Sequence, residues 1–227
     1  MNILIFGATG MVGQGVLREC LLAGDVELVQ AVGRTTTSKL NAKLRDVVVA
    51  DLFDVAAYAD KLDGFDACLF CLGVSSAGMK EEAYTRLTNE LTIQIAKPLA
   101  ERNPQMTFMY ISGAGTDSSE HGRSMWARVK GCTENTLLRL PFRAAYMFRP
   151  GFIAPMHGVR SKTRLYHLIY TILGPVVPAL RAMFPNQVLT TEEVGKAMLI
   201  AARHGAPKTV LEIADLRSLL RAFPTES

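Results

Sequence analysis

Asn2-Ile3-Leu4-Ile5-Phe6-Gly7-Ala8-Thr9-Gly10-Met11-Val12-Gly13 is the stretch whose reading decides the fold. Four consecutive apolar residues, Ile3 to Phe6, read as a strand buried on both faces, and Gly7 ends it. Gly10–Ala23 then reads as a helix closed by Gly24. The three glycines between strand and helix have separate roles. Gly7 permits a tight turn, Gly10 lets backbone approach a pyrophosphate, and Gly13 lets the helix pack closely. Free N–H groups at the helix start, helped by the helix dipole, would face the phosphates, with Thr9, Met11 and Val12 completing the loop. A glycine-rich turn placed this way, between a first strand and a first helix, predicts a dinucleotide-binding site.

The same alternation continues outward. Strands are predicted at 27–32, 47–50, 67–72, 106–111 and 144–148, and helices at 55–62, 81–102 and 123–139. Strands apolar throughout, alternating with amphipathic helices, imply a parallel sheet covered on both faces. Right-handed crossovers make it a doubly wound α/β sheet, the Rossmann fold. Past residue 151 the alternation weakens to a helix at 191–204, a strand at 209–213 and a helix at 216–223. The chain therefore reads as one domain, with residues 1–150 as the cofactor-binding core. Residues 151–227 are expected to form a small C-terminal cap on the substrate side, together with the last sheet elements.

The 227 residues carry 25 Lys+Arg against 21 Asp+Glu, a net charge of +4 too mild for a nucleic-acid binder. With 49% hydrophobic residues the chain is not disordered. Residues 1–150 are balanced, so the excess lies beyond them, densest at Arg160, Lys162 and Arg164. That cluster reads as a solvated loop or as a patch for an acidic ligand or a peripheral membrane contact. Leu165–Leu180 lacks formal charge but contains Pro175 and Pro178 and is too short to span a bilayer, which takes about 20 apolar residues. Cys68 and Cys71, three apart on a strand, point to opposite faces, and neither the cysteines nor the four histidines have metal spacing. Met1 leads straight into a strand and no disulfide framework is evident, so a reducing cytoplasmic location is expected.

The end of the second strand reads Val32-Gly33-Arg34-Thr35, without the carboxylate that usually holds the adenosine ribose of NAD about 20 residues past the glycines. Arg34, with Thr35 beside it, can pair with a 2′-phosphate instead, so NADP(H) is preferred over NAD(H). Asp51-Leu52, after the third strand, is placed to meet the adenine, though an Asp there also caps a following turn. Cys71-Leu72-Gly73 ends the fourth strand against the cofactor, and Pro150-Gly151-Phe152 follows the sixth beside the expected nicotinamide.

GATGMVG at 7–13, CLG at 71–73 and RPGF at 149–152 together resemble the short-chain dehydrogenase/reductase superfamily, most closely its atypical, extended-type branch with NmrA-like and Tat-interacting-protein-like members. The resemblance spans roughly residues 1–215. It implies a nicotinamide dinucleotide, a serine ending the fifth strand, and Tyr-x-x-x-Lys on the next helix. Ser112 matches the serine and Lys130 the lysine, but Trp126 stands where the tyrosine is expected. An indole N–H donates hydrogen bonds but is no acid or base near neutral pH. Ser112, Lys130 and Trp126 are accordingly the candidate catalytic set, with Lys130 also binding ribose. Tyr84, Tyr110 and His121 are the other proton donors within reach by sequence.

Three activities follow from the resemblance. One is an oxidoreductase for a small apolar carbonyl or alcohol. Another is a non-catalytic dinucleotide sensor acting through a regulatory protein partner, and the third a non-redox epimerase or isomerase. The substrate pocket is expected to draw on 74–78, 114–118, 152–157 and 165–184, and a homodimer is compatible with all three.

Overall fold

The computed structural model describes residues 1–156 and 188–223. Seven parallel strands form the central sheet: β1 (Asn2–Phe6), β2 (Leu28–Gly33), β3 (Leu44–Val48), β4 (Ala67–Phe70), β5 (Thr107–Ile111), β6 (Ala144–Arg149) and β9 (Val210–Glu212). Their spatial order is β3-β2-β1-β4-β5-β6-β9. The order reverses between β1 and β4, which opens a crevice at the carboxyl ends of those two strands. A short parallel pair, β7 (Phe152–Ala154) and β8 (Val188–Thr190), continues from the exit of β6.

The inner strands read as apolar runs because both faces are covered, whereas the edge strand β3 carries Arg45 and Asp46, is only partly buried, and runs over Leu44–Val48 instead of the expected 47–50. On one face Ile3, Ile5, Leu69, Met109 and Phe148 pack with α1 (Met11–Leu22), α5 (Thr191–His204) and α6 (Ile213–Ala222). On the other face Leu4, Phe6, Cys68, Phe70, Phe108 and Tyr110 meet α3 (Leu91–Arg102) and α4 (Met125–Leu137). Phe6, Phe70 and Phe108 form a tilted ladder across three adjacent strands at centroid separations of 5.4 and 5.8 Å. Cys68 lies in this second layer while Cys71 packs against the first, as two positions three apart on a strand must.

The helix expected over 81–102 runs as α2 (Glu81–Thr85), a π turn (Arg86–Glu90) and α3. The segment after β3 is a 3₁₀ turn, Val55–Lys61, rather than an α-helix. The helix at 191–204 has the expected bounds and starts with a capping box between Thr190 and Glu193. In this part of the tail β9 joins the main sheet, and α5 and α6 lie in its helix layers.

Two helical glycines set how closely α5 approaches α1. A Cβ added at Gly15 would lie 2.5 Å from the Thr191 Cβ, and one at Gly195 would lie 2.8 Å from the Glu19 Cγ. Without those side chains the helices pack nearly backbone to backbone, which fixes the helix that opens the crevice.

The basic cluster Arg160-Lys162-Arg164, the apolar stretch 165–180, and the expected pocket residues at 157 and 165–184 lie outside the described residues. Among the described residues no helix is long and apolar enough to cross a membrane.

Candidate functional site

The glycine turn sits at the mouth of the crevice. Gly7 has φ +81°, and a Cβ there would lie 2.6 Å from the backbone N of Leu72 and 2.7 Å from the carbonyl carbon of Cys71. Only glycine lets the β1 exit pass that close to the β4 exit. Gly13 faces the turn itself: a Cβ would lie 2.0 Å from the Gly7 carbonyl oxygen. The close packing that Gly13 allows is therefore helix against loop. Gly10 is the N-cap of α1, its N–H donating to the Gly7 carbonyl at 2.9 Å.

This arrangement fits an anionic dinucleotide. Gly10 contributes no side-chain cap and the first turn of α1 holds no acidic residue, so its N–H groups face no competing carboxylate. Thr9 holds the loop through its carbonyl, which accepts from Gln14 Nε2 at 3.1 Å. Met11 and Val12 form the first turn, half-buried. Across the crevice, Gly73 is exposed, and a Cβ on it would meet nothing within 4 Å.

The two flanks of the crevice differ. Past β2, Arg34 and Thr35 are exposed. The loop after them is ordered by Asp46 on β3, whose carboxylate accepts from the hydroxyls of Thr36 and Thr37 at 2.6 and 2.9 Å. Past β3, Asp51 accepts the N–H of Phe53 at 2.9 Å, so one of its oxygens is committed to the local turn. Leu52 is buried, and its carbonyl accepts from the Tyr58 hydroxyl at 2.8 Å.

On the other side, Ser112 ends β5 with both its N–H and its hydroxyl donating to the Phe148 carbonyl, at 2.9 and 3.0 Å. Lys130 on α4 reaches back so that its Nζ donates to the Ser112 carbonyl. Serine and lysine thus come together. Burial of the ammonium pushes the Lys130 pKa down to about 8, against the opposing pull of the Glu134 carboxylate.

Trp126 is half-buried one turn before Lys130, and a Cβ on Gly115 would lie 3.5 Å from its ring. Tyr84 and Tyr110 are 2% exposed, and burial raises the Tyr110 hydroxyl well above its ordinary value. Neither hydroxyl opens to solvent. His121 is exposed in the loop before α4.

That loop is built, not slack. Asp117 accepts from Ser119 and from the Gly122 N–H at 2.6 Å, and Gly131 of α4 packs so closely that a Cβ would lie 1.8 Å from the Asp117 carbonyl oxygen. Pro150 is buried and its carbonyl accepts the Ala114 N–H at 2.9 Å, tying the β6 exit to this loop. Gly151 and Phe152 follow, half-buried.

Two features escaped the sequence reading. Asn89, in the π turn, donates to the Thr133 hydroxyl at 3.1 Å and joins that turn to α4. Arg149 turns inward, donating to Glu134, Glu212 and Ser118. The spacing of Glu134 four residues after Lys130 was the available signal.

Comparison with known proteins agrees with this geometry. A family described as NAD(P)H-binding matches residues 7–139, more than half of the chain. The mitochondrial protein FMP52 of Eremothecium gossypii is 29% identical over 233 residues, covering 100% of both chains. The mitochondrial protein fmp52 of Emericella nidulans is 28% identical over 72% of this chain and 70% of its own. Among solved structures, the Bordetella bronchiseptica enzyme WbmF in complex with NAD+ superposes with a TM-score of 0.70 over 99% of this chain and 79% of its own, at 15% identity. MoeE5 in complex with UDP-glucuronic acid and NAD gives 0.69 over 94% of this chain and 76% of its own, at 16% identity.

The relatives' names overturn the expected cytoplasmic location, since they are called mitochondrial proteins. Free thiols report the redox state of a compartment and not its address, which is why cysteine usage misled. The glycine turn, the crevice it lines and the family match agree: this chain belongs to the NAD(P)H-binding family and has a Rossmann fold.

Proposed function

We propose that the protein binds NADP(H) in the β1/β4 crevice and acts as an oxidoreductase on a small apolar carbonyl or alcohol. The observation that carries this reading is the meeting of Lys130 with Ser112 at the exit of β5, which only β4 separates from the strand that leads into the glycine turn. Hydride exchange is the chemistry that the dinucleotide supplies when bound. The chain's own residues bind and orient. The N–H groups of Met11, Val12 and Gly13 take the pyrophosphate, Arg34 and Thr35 the 2′-phosphate, and Asp51 and Leu52 the adenine side. Cys71, Leu72 and Gly73 supply backbone along the ribose, and Pro150, Gly151 and Phe152 flank the nicotinamide. Lys130 holds the second ribose, and Ser112, once its hydroxyl turns from the Phe148 carbonyl, polarises the substrate oxygen.

Trp126 takes the tyrosine's place. An indole N–H can donate a hydrogen bond but passes no proton near neutral pH. That favours a second reading, a dinucleotide sensor without turnover acting through a protein partner.

Trp126 is the only tryptophan, so its fluorescence reports the cleft. Titration with NADPH should quench it at lower concentration than titration with NADH, and R34A should erase the difference. Tighter NADH binding in the unaltered chain would sink the Arg34 assignment. NADPH consumption with a panel of apolar aldehydes and ketones separates the two readings, since a sensor gives none. W126Y supplies a general acid, a group worth roughly 10²–10⁴ in rate, and should raise turnover at least tenfold. No gain in a folded, coenzyme-binding variant would mean that position 126 does not face the substrate.

A further inference from the structure

We infer that Glu134 is the positioning residue of the cleft: its carboxylate, locked by Arg149 one helical turn from Lys130, keeps charged the ammonium that meets the coenzyme ribose. This rests on the reading of Lys130 as a ribose contact.

Glu134 is fully buried, an expensive place for a charge unless it is paired. Arg149 pairs it from β6. Its Nε donates to both carboxylate oxygens, at 3.0 and 3.2 Å, and its Nη2 donates to Oε2 at 2.5 Å. The remaining donors of the guanidinium reach Glu212 Oε1 at 3.1 Å and the Ser118 hydroxyl at 2.5 Å. Arg149 stands between Phe148, whose carbonyl takes both Ser112 donors, and Pro150, whose carbonyl takes the Ala114 N–H. The ion pair therefore fixes α4 to the exits of β5 and β6, the strands that carry the serine and the nicotinamide turn.

Lys130 lies one helical turn before Glu134, on the same face of α4. Around these two residues stand Tyr110 on β5, Tyr84 on α2, Arg149 on β6, Glu212 on β9 and Asp117 in the loop. Burial keeps the Tyr110 hydroxyl neutral, and the Asp117 carboxylate is committed to Ser119 and Gly122. Glu134 and Glu212 share the single guanidinium of Arg149, which leaves one negative charge of that group for Lys130 to balance. Desolvation lowers the Lys130 pKa to about 8, and Glu134 is the charge that resists a further fall. A chain lacking that charge would hold a neutral amine at physiological pH and lose the donor that the ribose needs.

The test is NADPH affinity of the full chain, measured by calorimetry from pH 6 to 9.5. In the unaltered protein binding should weaken as pH rises through about 8, where the free protein loses the Lys130 proton. K130M should bind more weakly with no break in this range. E134Q, which keeps size and one acceptor for Arg149, should move the break down by about one pH unit and weaken binding roughly tenfold at pH 8. A thermal melt confirms that each variant is folded. A purely structural Glu134 would lower the melting temperature without moving the break. An unmoved break in E134Q, with K130M flat, overturns the inference and leaves the Lys130 reading standing. No break in the unaltered protein, or one that survives K130M, removes the Lys130 reading and the inference with it. If E134Q does not fold, E212Q removes the half-exposed second acid and should shift the break in the same direction but less; no shift there overturns the inference equally.

Discussion

G13A should lose both coenzyme affinity and stability, and the loss of binding should be the larger. The added methyl would lie 2.0 Å from the Gly7 carbonyl oxygen and 2.7 Å from the Gly7 carbonyl carbon. Both are backbone atoms wedged against Cys71 and Leu72, so the turn cannot yield without opening the β1/β4 crevice. The start of α1 must move instead. Overpacking of this kind costs about 3 kcal/mol, and in a chain of this size that lowers the melting temperature by roughly 6–12 °C. The N–H groups aimed at the pyrophosphate move with the helix. Charge-assisted hydrogen bonds are worth about 1.5–3 kcal/mol each, so misplacing two of them weakens NADPH binding at least ~100-fold. G24A is the matched control. A Cβ there meets nothing within 4 Å, so it should leave both quantities unchanged or raise the melting temperature slightly. Calorimetric titration of the two variants decides it. Unaltered NADPH affinity in a folded G13A chain would mean that the dinucleotide does not rest on the α1 N-terminus.

The contrast between Gly13 and Gly15 shows what the sequence could and could not tell. Gly7, Gly10 and Gly13 are legible because their spacing follows from the phosphate they approach, a local requirement. Gly15 and Gly195 sit in helical patterns and answer to each other's helices across 180 residues, a packing demand with no local signature. The inner strands were legible because both faces are buried and each reads as an apolar run; β3, at the sheet edge with Arg45 and Asp46, was expected at 47–50 and lies at Leu44–Val48. Their ends were less so: β4 stops at Phe70, two residues early, where the chain bends around Gly7. The π turn at Arg86–Glu90 follows a helical sequence without a break and is set by tertiary contacts, Asn89 on Thr133 among them. In the cleft, Ser112 and Lys130 were singled out by the family resemblance, and the structure brings them into contact. Arg149 was read only as the start of a turn, because the two acids it serves lie on α4 and β9.

R149L should be among the most destabilising single substitutions in the chain. It would leave the Glu134 carboxylate, 1% exposed, without its cation, and removing one partner of a buried pair costs about 3–5 kcal/mol. In a domain of this size the melting temperature at pH 7 should fall by roughly 6–20 °C. The pH dependence identifies the cause. With Arg149 gone, Glu134 is more easily protonated in the folded state than in the unfolded one, so the folded state binds the extra proton. Stability contributed by that proton is present at low pH and lost as pH rises through the elevated folded-state pKa. The deficit relative to the unaltered protein should therefore be largest at neutral pH and shrink toward pH 5. Replacing both residues, E134L with R149L, removes the stranded charge and fills its place with apolar volume. Glu212, about half exposed, returns to solvent at little cost. The double variant should regain most of the lost stability, because a buried ion pair contributes little beyond what well-packed apolar side chains supply. It should still bind NADPH with a lowered pH break, since the charge that supports Lys130 is gone. A double variant as unstable as R149L alone would show instead that the bonds of Arg149 to Ser118 and Glu212, which tie β6 to the loop and to β9, hold this part of the fold together.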